Sequence, residues 1–258
     1  MTTAPSAPPL SDTSSRPPAE RVLVIAATYQ EAENILRLID AVLLADPLLD
    51  LLVVDDDSPD GTGELAIQRA ADEPRLTVMI RRDRRGLGSA VRDGLHEARR
   101  RGYQLAVSLD ADFSHDPADI PRLLAAVAPP GQPPADVVIG SRKIHGGSVV
   151  GWPLSRRMLS RLVCWWTHWV LRVPAFDSSS GFRVIRLSFL DVLQDPTEGY
   201  AIQEQMLWQI HRAGGRIREV PITFTQRQRG LSKVDWWQMV LGASDLVRLG
   251  WATWFQRK

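Results

Sequence analysis

A short apolar run rich in β-forming residues recurs five times in the first 140 residues of this 258-residue chain. Successive runs begin 29, 25, 28 and 32 residues apart, at residues 22–27, 51–54, 76–80, 104–109 and 136–139. Helix-like segments lie between them, at residues 31–44, 63–71, 88–101 and 118–128. Strands separated by helical crossovers of this length are typical of parallel sheets. The spacing therefore predicts an α/β fold, a doubly wound and mainly parallel sheet flanked by helices.

The pattern changes after Gly151 without a linker-like sequence. A Trp-rich helical stretch comes first, and the segments after it predict a strand at 182–185, a helix at 201–212, a strand at 217–224 and a C-terminal helix. We therefore predict one continuous domain over residues 21–233, followed by an amphipathic helix at 234–258. Residues 1–20 contain five Pro and no apolar run, which predicts a disordered tail rather than a signal peptide.

Charge and cysteine content exclude several function classes. The chain has 31 basic and 30 acidic residues, a net charge of +1, so charge gives no sign of a nucleic-acid partner. Its single Cys can form neither an intrachain disulfide nor a Cys-based zinc site. No stretch reaches the roughly 18 consecutive apolar residues of a membrane span.

Polar clusters stand at the carboxyl ends of four of the five predicted strands. They are Thr28–Glu31, Asp55–Thr62, Asp110–Asp112 and Gly140–Lys143. Such residues commonly cap helices and form turns, but ligands of open α/β sheets also bind at these strand ends. Asp110 and Asp112 can share a Mg²⁺ or Mn²⁺ ion that also holds a diphosphate. The His residues lack metal-ligand spacing and are interpreted as surface or packing residues, and the Arg runs at 81–85 and 99–101 as solvated turns and helix ends.

The motifs at these strand ends match a known family over about residues 22–235. They are Ala27-Thr-Tyr-Gln-Glu31, Val54–Thr62, Arg85–Gly88, Asp110–His115, Gly140-Ser-Arg142, Ser180–Arg183 and Arg227-X-X-Gly-X-Ser-Lys233. The sequence resembles the family-2 glycosyltransferases of the GT-A fold, and within them the polyprenol- and dolichol-phosphate mannose synthases.

The resemblance implies roles at the donor site. The nucleoside part of a sugar nucleotide would contact Tyr29, Glu31, Val54 and Asp56, with Ala27 standing where the family has Pro. The sugar nucleotide and its metal would be held by Asp110, Ala111 and Asp112, with Ser114 as a further metal contact.

The resemblance also implies phosphate contacts. Arg142, Arg227 and Lys233 would act with Asp112 in catalysis by holding phosphates, and Arg156 would contact the acceptor phosphate. Lys233 is unusual even apart from the family resemblance, because 28 of the 31 basic residues are Arg and only Lys143, Lys233 and Lys258 are Lys. A compact ammonium group suits a point contact to a phosphate, although a solvated surface Lys is equally compatible with the residue alone.

The implied activity is the inverting transfer of a hexose, mannose from GDP-mannose, to a polyprenyl phosphate. The implied cofactor is Mg²⁺ or Mn²⁺, and the implied location is peripheral, at the cytoplasmic face of the membrane, where a membrane-protein partner is also compatible. UDP-glucose as donor, a hydroxyl acceptor, and a non-catalytic scaffold remain as alternatives. Gln205 occupies the family's usual acid position, which an already ionised phosphate acceptor would tolerate.

Nine Trp residues raise the question of a membrane contact. Trp165, Trp166 and Trp169 fall in one predicted helix. Trp237, Trp251 and Trp254 recur on one face of the last predicted helix. Trp favours the membrane interface, but both helices could instead pack on the sheet, and the sequence leaves the two interpretations open.

Overall fold

The computed structural model describes residues 20–193 and 202–226. All five predicted strands of the first half are present, each with bounds within two residues of the prediction. They are β1 (Val22–Thr28), β2 (Leu49–Asp55), β3 (Leu76–Ile80), β4 (Leu105–Asp110) and β5 (Val137–Ser141). The helices are α1 (Ile35–Ala45), α2 (Thr62–Ala70), α3 (Leu87–Arg100), α4 (Ile120–Ala125), α5 (Leu154–Trp169) and α6 (Ile202–Arg212). The remaining strands are β6 (Ser148–Val150), β7 (Arg183–Arg186), β8 (Ile217–Pro221) and β9 (Thr223–Thr225).

Seven strands form one sheet in the order β3-β2-β1-β4-β7-β5-β8. Only β7 runs antiparallel to its neighbours, β4 and β5, and the other pairings are parallel. The predicted mainly parallel, doubly wound sheet is thus confirmed.

The single strand predicted at 217–224 is instead two strands. Pro221 ends β8, and Ile222 separates it from β9, which leaves the large sheet and pairs with β6 in a second, two-stranded sheet. Proline lacks the N–H that would continue the ladder, which explains the break at this point. The short strand β6 was not predicted.

The core lies on both faces of the sheet because alternate residues of each buried strand point to opposite sides. Val22 and Val24 of β1 pack with α1 on one face, whereas Leu23 and Ile25 pack with α3 and α6 on the other. A side chain at Gly94 of α3 would meet Ile25 at 2.5 Å, so this glycine lets α3 lie directly on β1. Close packing of α3 places its amino-terminal end at the carboxyl edge of the sheet.

Within residues 20–193 and 202–226, no helix is both long enough and apolar enough to cross a membrane.

Candidate active site

The loops after β1 and β2 are joined by the buried carboxylate of Asp55. It accepts hydrogen bonds from the Thr28 hydroxyl at 2.8 Å, the Ser58 hydroxyl at 2.6 Å and the Ser58 backbone N–H at 2.9 Å. The Ser58 hydroxyl in turn accepts from the backbone N–H of Gln30. Asp55 therefore fixes the shape of both loops.

Asp56 pairs with Arg81, a residue that sequence reasoning assigned to a solvated turn. Arg81 is buried, and its Nε lies 2.8 Å from Asp56 Oδ1, while Asp56 Oδ2 accepts from the Gly86 N–H at 2.7 Å. Arg81 also donates to Asp93 of α3 at 2.9 Å. The interpretation of residue 81 as solvated is wrong. Its place directly after the predicted strand β3, at the edge where the other polar strand ends lie, is the signal that could have identified it.

Tyr29 and Glu31 follow β1 and are held from two directions. Arg85 donates to the Tyr29 hydroxyl at 3.3 Å, with its guanidinium 5.2 Å from the ring centroid. The Glu31 carboxylate accepts a hydrogen bond from the Asn34 side chain at 2.7 Å, and the Glu31 backbone N–H donates to Thr62 Oγ1 at 2.8 Å. These contacts bring the two predicted nucleoside-contacting residues to the same edge.

The register of the sheet places three predicted donor-site residues next to each other. Ala27 of β1 is the register partner of Val54 on one side and of Asp110 on the other. The predicted donor residues of β1, β2 and β4 therefore lie side by side, as parallel pairing requires.

Asp110 and Asp112 stand at the end of β4, where Phe113 takes a left-handed conformation with φ of 57°. The Ser114 N–H donates to Asp112 Oδ1 at 2.9 Å, and Asp112 and Ala111 are buried. The Asp110 side chain is 35% exposed, with Oδ2 3.5 Å from His115 Nδ1. The turn thus presents Asp110 to the open edge and holds Asp112 behind it.

His115 is buried, and its ring lies 5.2 Å from both Phe182 and Phe224. Burial lowers the pKa of its imidazole. The interpretation of the His residues as surface or packing residues is compatible with this buried one, which in addition contacts Asp110.

The donor set at Asp110 and Asp112 fits a hard divalent cation bound together with a diphosphate. In the described residues no group of three or more His, Cys, Asp or Glu side chains is placed to enclose a metal ion. Mg²⁺ and Mn²⁺ commonly take one or two protein carboxylates and complete their coordination with water and substrate phosphates. Asp110, Asp112 and Ser114 carry side-chain oxygens that suit such a site, and their role as metal ligands stays a prediction.

Beyond β5, Arg142 forms a buried ion pair with Asp177. Its Nε and Nη2 each lie 2.7 Å from a carboxylate oxygen of Asp177, and its side chain is only 4% exposed. Burial alone would raise the pKa of Asp177, but the hydrogen bonds and charge of Arg142 lower it to about 2. Arg142 is thus part of the framework here, and its direct contact to a phosphate stays a prediction. Asp177 was not singled out from the sequence, although it stands just before Ser180–Arg183.

A cavity of about 500 Å³ lies beside this ion pair, against α5. Its basic lining residues are Arg142, Lys143, Arg157 and Arg161, and its aromatic ones are Trp152, Trp165, Trp169 and Phe176. Lys143 Nζ contacts Ser160 of α5 at 2.8 to 2.9 Å and Asp177 at 3.7 Å. All its lining residues fall within residues 142–176. Sequence reasoning missed the cavity because the local pattern does not show how α5 folds against the segments that precede and follow it.

Aromatic contacts connect the cavity to Asp110. Trp152 lies 5.1 Å from Phe224, which contacts His115, the neighbour of Asp110. The guanidinium of Arg156 stacks 4.2 Å above Trp152. Arg156, the predicted acceptor contact, therefore packs on Trp152, a residue that lines the cavity and contacts Phe224.

Arg183 organises the segment that faces Asp110. It is fully buried and donates to the backbone carbonyls of Ser178, Ser180 and Gln203 at 2.5 to 2.7 Å. Burial lowers its pKa to about 10. A side chain at Gly181 would lie 3.3 Å from Asp110 Oδ1 and 3.8 Å from Gln203 Nε2, so glycine permits the approach of Asp110 and α6.

The first turn of α6 holds Gln203, Glu204 and Gln205, all buried. Successive helical residues differ by about 100°, so Gln205 points about 200° away from Gln203, the residue near Asp110. Burial raises the pKa of Glu204 to about 7, although the charges of Arg183 and Lys143 oppose that shift. The structure thus presents Gln203 to the Asp110 side of this turn.

Arg227 and Lys233 lie outside the described residues, as do residues 1–19 of the predicted tail and the predicted C-terminal amphipathic helix with Trp237, Trp251 and Trp254.

Comparisons with known proteins identify the family of this chain. Residues 23–193 match the model of the family Glycosyl transferase family 2. The chain is 41% identical to a polyprenol monophosphomannose synthase of Mycolicibacterium smegmatis, covering 84% of this chain and 82% of the relative. It is 42% identical to an undecaprenyl-phosphate mannosyltransferase of Micrococcus luteus, covering 83% and 88%.

Solved structures show the same fold at lower identity. A mannosyltransferase from Pyrobaculum calidifontis in complex with GDP-Man and Mn²⁺ is 20% identical, with a TM-score of 0.59 over 96% of this chain and 66% of that one. A glucosyl-3-phosphoglycerate synthase from Mycobacterium tuberculosis is 16% identical, with a TM-score of 0.69 over 95% and 84%. The fold is therefore of the GT-A type, and the family match over two thirds of the sequence, together with the identity to the two bacterial relatives, shows that this chain belongs to Glycosyl transferase family 2.

Proposed function

We propose that the protein transfers mannose from GDP-mannose to a polyprenyl phosphate, with inversion at the anomeric carbon. The observation that carries the proposal is the basic, aromatic cavity next to the acidic edge at Asp110. Arg and Lys recognise a phosphate, and aromatic walls suit the first isoprene units of a lipid. The names of the relatives at 41% and 42% identity supply the sugar and the lipid class.

In this mechanism a phosphate oxygen of the acceptor attacks the anomeric carbon. The bond between that carbon and the diphosphate oxygen breaks, and the electron pair leaves with the nucleoside diphosphate. A phosphomonoester has a second pKa near about 6, so the nucleophile is already ionised at neutral pH and no general base has to remove a proton. Gln205 at the family's acid position is compatible with such an acceptor.

The protein's own groups would position the two substrates. Asp110, Asp112 and Ser114 would hold a Mg²⁺ or Mn²⁺ ion, which when bound neutralises charge on the leaving diphosphate. Tyr29, Glu31, Val54 and Asp56 would form the nucleoside site, supported by Arg81 and Asp55. Arg156, which packs on Trp152, would contact the acceptor phosphate, and Arg227 and Lys233 remain proposed phosphate contacts.

The proposed location is the cytoplasmic face of the membrane, because a polyprenyl phosphate resides in the bilayer. A membrane-protein partner is compatible with this location. The proposal needs no nucleic-acid partner.

A panel of labelled nucleotide sugars tests the donor and the acceptor together. We expect product from GDP-mannose with undecaprenyl phosphate, and none with undecaprenol. A chelator should abolish transfer, and added Mn²⁺ or Mg²⁺ should restore it. Preference for UDP-glucose, better transfer to the alcohol, or full activity in chelator would each contradict the corresponding part of the proposal.

A matched pair of variants tests the cavity as the acceptor site. Arg161→Gln removes a cation that lines the cavity, and Arg100→Gln removes an exposed cation of α3 that pairs with Glu97. The first should raise the KM for undecaprenyl phosphate about tenfold and leave the KM for GDP-mannose unchanged, since one charged hydrogen bond is worth about 1.5 kcal/mol. The second should change neither constant. Equal effects of the two variants would place the acceptor elsewhere.

A further inference from the structure

The outer face of α5 carries a continuous apolar stripe. Its five members are between 54 and 76% exposed, and they are Leu154, Met158, Leu162, Trp165 and Trp169. At about 100° per residue these positions fall within about 80° of the helix circumference, and they extend over about 22 Å of its length. The helix turns Cys164 and Thr167 toward the protein instead. An apolar surface of this size and continuity marks an interaction site.

One flank of the stripe is basic. Arg157 and Arg161 follow the stripe along the side where the cavity opens, and α5 contains no Asp or Glu. Arg157 also donates to the carbonyl of Val149 at 3.1 Å, which ties this flank to β6. Phe176, which is also exposed, stacks on His168 at 5.3 Å and extends the apolar surface past the end of the helix.

We propose that this α5 stripe docks on the surface of an anionic lipid bilayer. The helix lies parallel to the membrane, its Leu, Met and Trp side chains enter the boundary between headgroups and acyl chains, and Arg157 and Arg161 contact lipid phosphates. Trp165 and Trp169 suit this depth, because Trp prefers the membrane interface. The inference rests on the proposed function, since docking through α5 would turn the cavity toward the bilayer that holds a polyprenyl phosphate.

The charge of the flank favours a bilayer over a second copy of the chain. A symmetric contact between two α5 stripes would bring together surfaces that each carry the same Arg residues and no acid on the helix. An anionic lipid surface supplies the opposite charge along the whole flank, and each basic residue near it adds to the attraction.

Vesicle binding by the full chain, without donor or acceptor, tests the docking surface. The stripe variant is Leu154→Gln/Met158→Gln/Leu162→Gln, whose three positions do not line the cavity. The matched control is Leu44→Gln/Leu48→Gln/Ile67→Gln, whose side chains are 51 to 86% exposed on other elements. We expect the stripe variant to partition at least about tenfold less into phosphatidylglycerol-containing vesicles, and the control to stay within about twofold of the unaltered chain. The unaltered chain should bind pure phosphatidylcholine vesicles less tightly.

Several results would overturn the inference. The unaltered chain would fail to bind anionic vesicles, or the stripe variant would bind them as tightly as the unaltered chain does. A control variant that lost as much vesicle binding as the stripe variant would also overturn it. Sedimentation and thermal unfolding show whether something other than a bilayer covers the α5 stripe. A dimer that the stripe variant dissociates would indicate a second copy, and a lowered melting temperature with unchanged vesicle binding would indicate a segment of this chain.

Transfer to a short-chain, detergent-dispersed prenyl phosphate separates this inference from the proposed function. The stripe variant should keep that activity. Vesicle binding without transfer by the unaltered chain would reject the proposed function, whereas transfer without vesicle binding would reject only the docking surface.

Discussion

Asp55 at the end of β2 is enclosed by hydrogen-bond donors of the loops after β1 and β2, whereas Asp110 at the end of β4 has a side chain that is 35% exposed. Both are acidic residues at the carboxyl edge of the same sheet. Asp55 holds two loops together, and Asp110 reaches the surface of that edge. An acidic residue at a strand end can therefore belong to the framework or stay accessible to a ligand, and residue type alone does not separate the two.

The same contrast applies to the basic residues. Arg81 and Arg142 are each buried beside a carboxylate, whereas Arg157 and Arg161 are exposed along the cavity. Buried pairs fix geometry, because removing one partner leaves an uncompensated charge in the interior. Exposed cations next to a cavity can exchange water for a ligand phosphate.

The largest expected effect tests Asp110 as a ligand-binding residue. Asp110→Asn should lower transfer at least about 10³-fold, equivalent to about 4 kcal/mol, because the leaving diphosphate loses its counter-charge. Its melting temperature should change little. Asp116→Asn, six residues later in an exposed cap, is the control and should keep full activity. Steady-state rates and thermal unfolding are measured for both variants. An active Asp110→Asn variant would show that Asp110, like Asp55, does not bind the substrate or its metal.

Arg81→Gln tests the framework side of the comparison. We expect a loss of about 3 kcal/mol in the free energy of unfolding, since the Asp56 carboxylate would stay buried without its cation. Arg82→Gln, whose exposed side chain lies 3.7 Å from Asp57, should cost less than about 1 kcal/mol. Urea denaturation measures both values, and similar losses would show that Arg81 is not a framework residue.

The Arg142–Asp177 pair predicts a smaller, pH-dependent effect. The pKa of Asp177 is lowered to about 2 in the folded state from a usual value of 3.8. Its stabilisation is therefore present above about pH 4 and disappears as the pH falls toward 2, amounting to about 2 kcal/mol. Asp177→Asn should lower stability at pH 7 and flatten the acid limb of the stability curve. Asp191→Asn, at an exposed pair with Arg99, should leave that limb nearly unchanged.

The smallest expected effect concerns Gln205. Gln205→Glu should change the transfer rate less than about threefold, because an ionised phosphate does not need the 10²–10⁴-fold contribution of a general base. The rate for the unaltered protein should fall as the pH drops through about 6, where the phosphate dianion is lost. A gain of orders of magnitude in this variant would favour a hydroxyl acceptor.

Apolar periodicity was sufficient to predict the parallel half of the sheet. The strands from β1 to β5 are apolar runs separated by helices, and both features are local in the sequence. The antiparallel insertion of β7 between β4 and β5 was not predicted, because strand order depends on pairings between segments far apart in the chain. The break between β8 and β9 had a local signal in Pro221 that the prediction did not use.

The sequence by itself determined the fold class, the polar strand ends and the family, because each is written in contiguous motifs. Only the tertiary structure decided that Arg142 pairs with Asp177, 35 residues away, and that Arg81 is buried beside Asp56. It also decided which Trp residues of α5 pack on the protein, since Trp166 packs against the core and Trp165 and Trp169 are exposed. Helical periodicity fixes which side chains share a face, but which face meets the protein depends on where the rest of the chain packs.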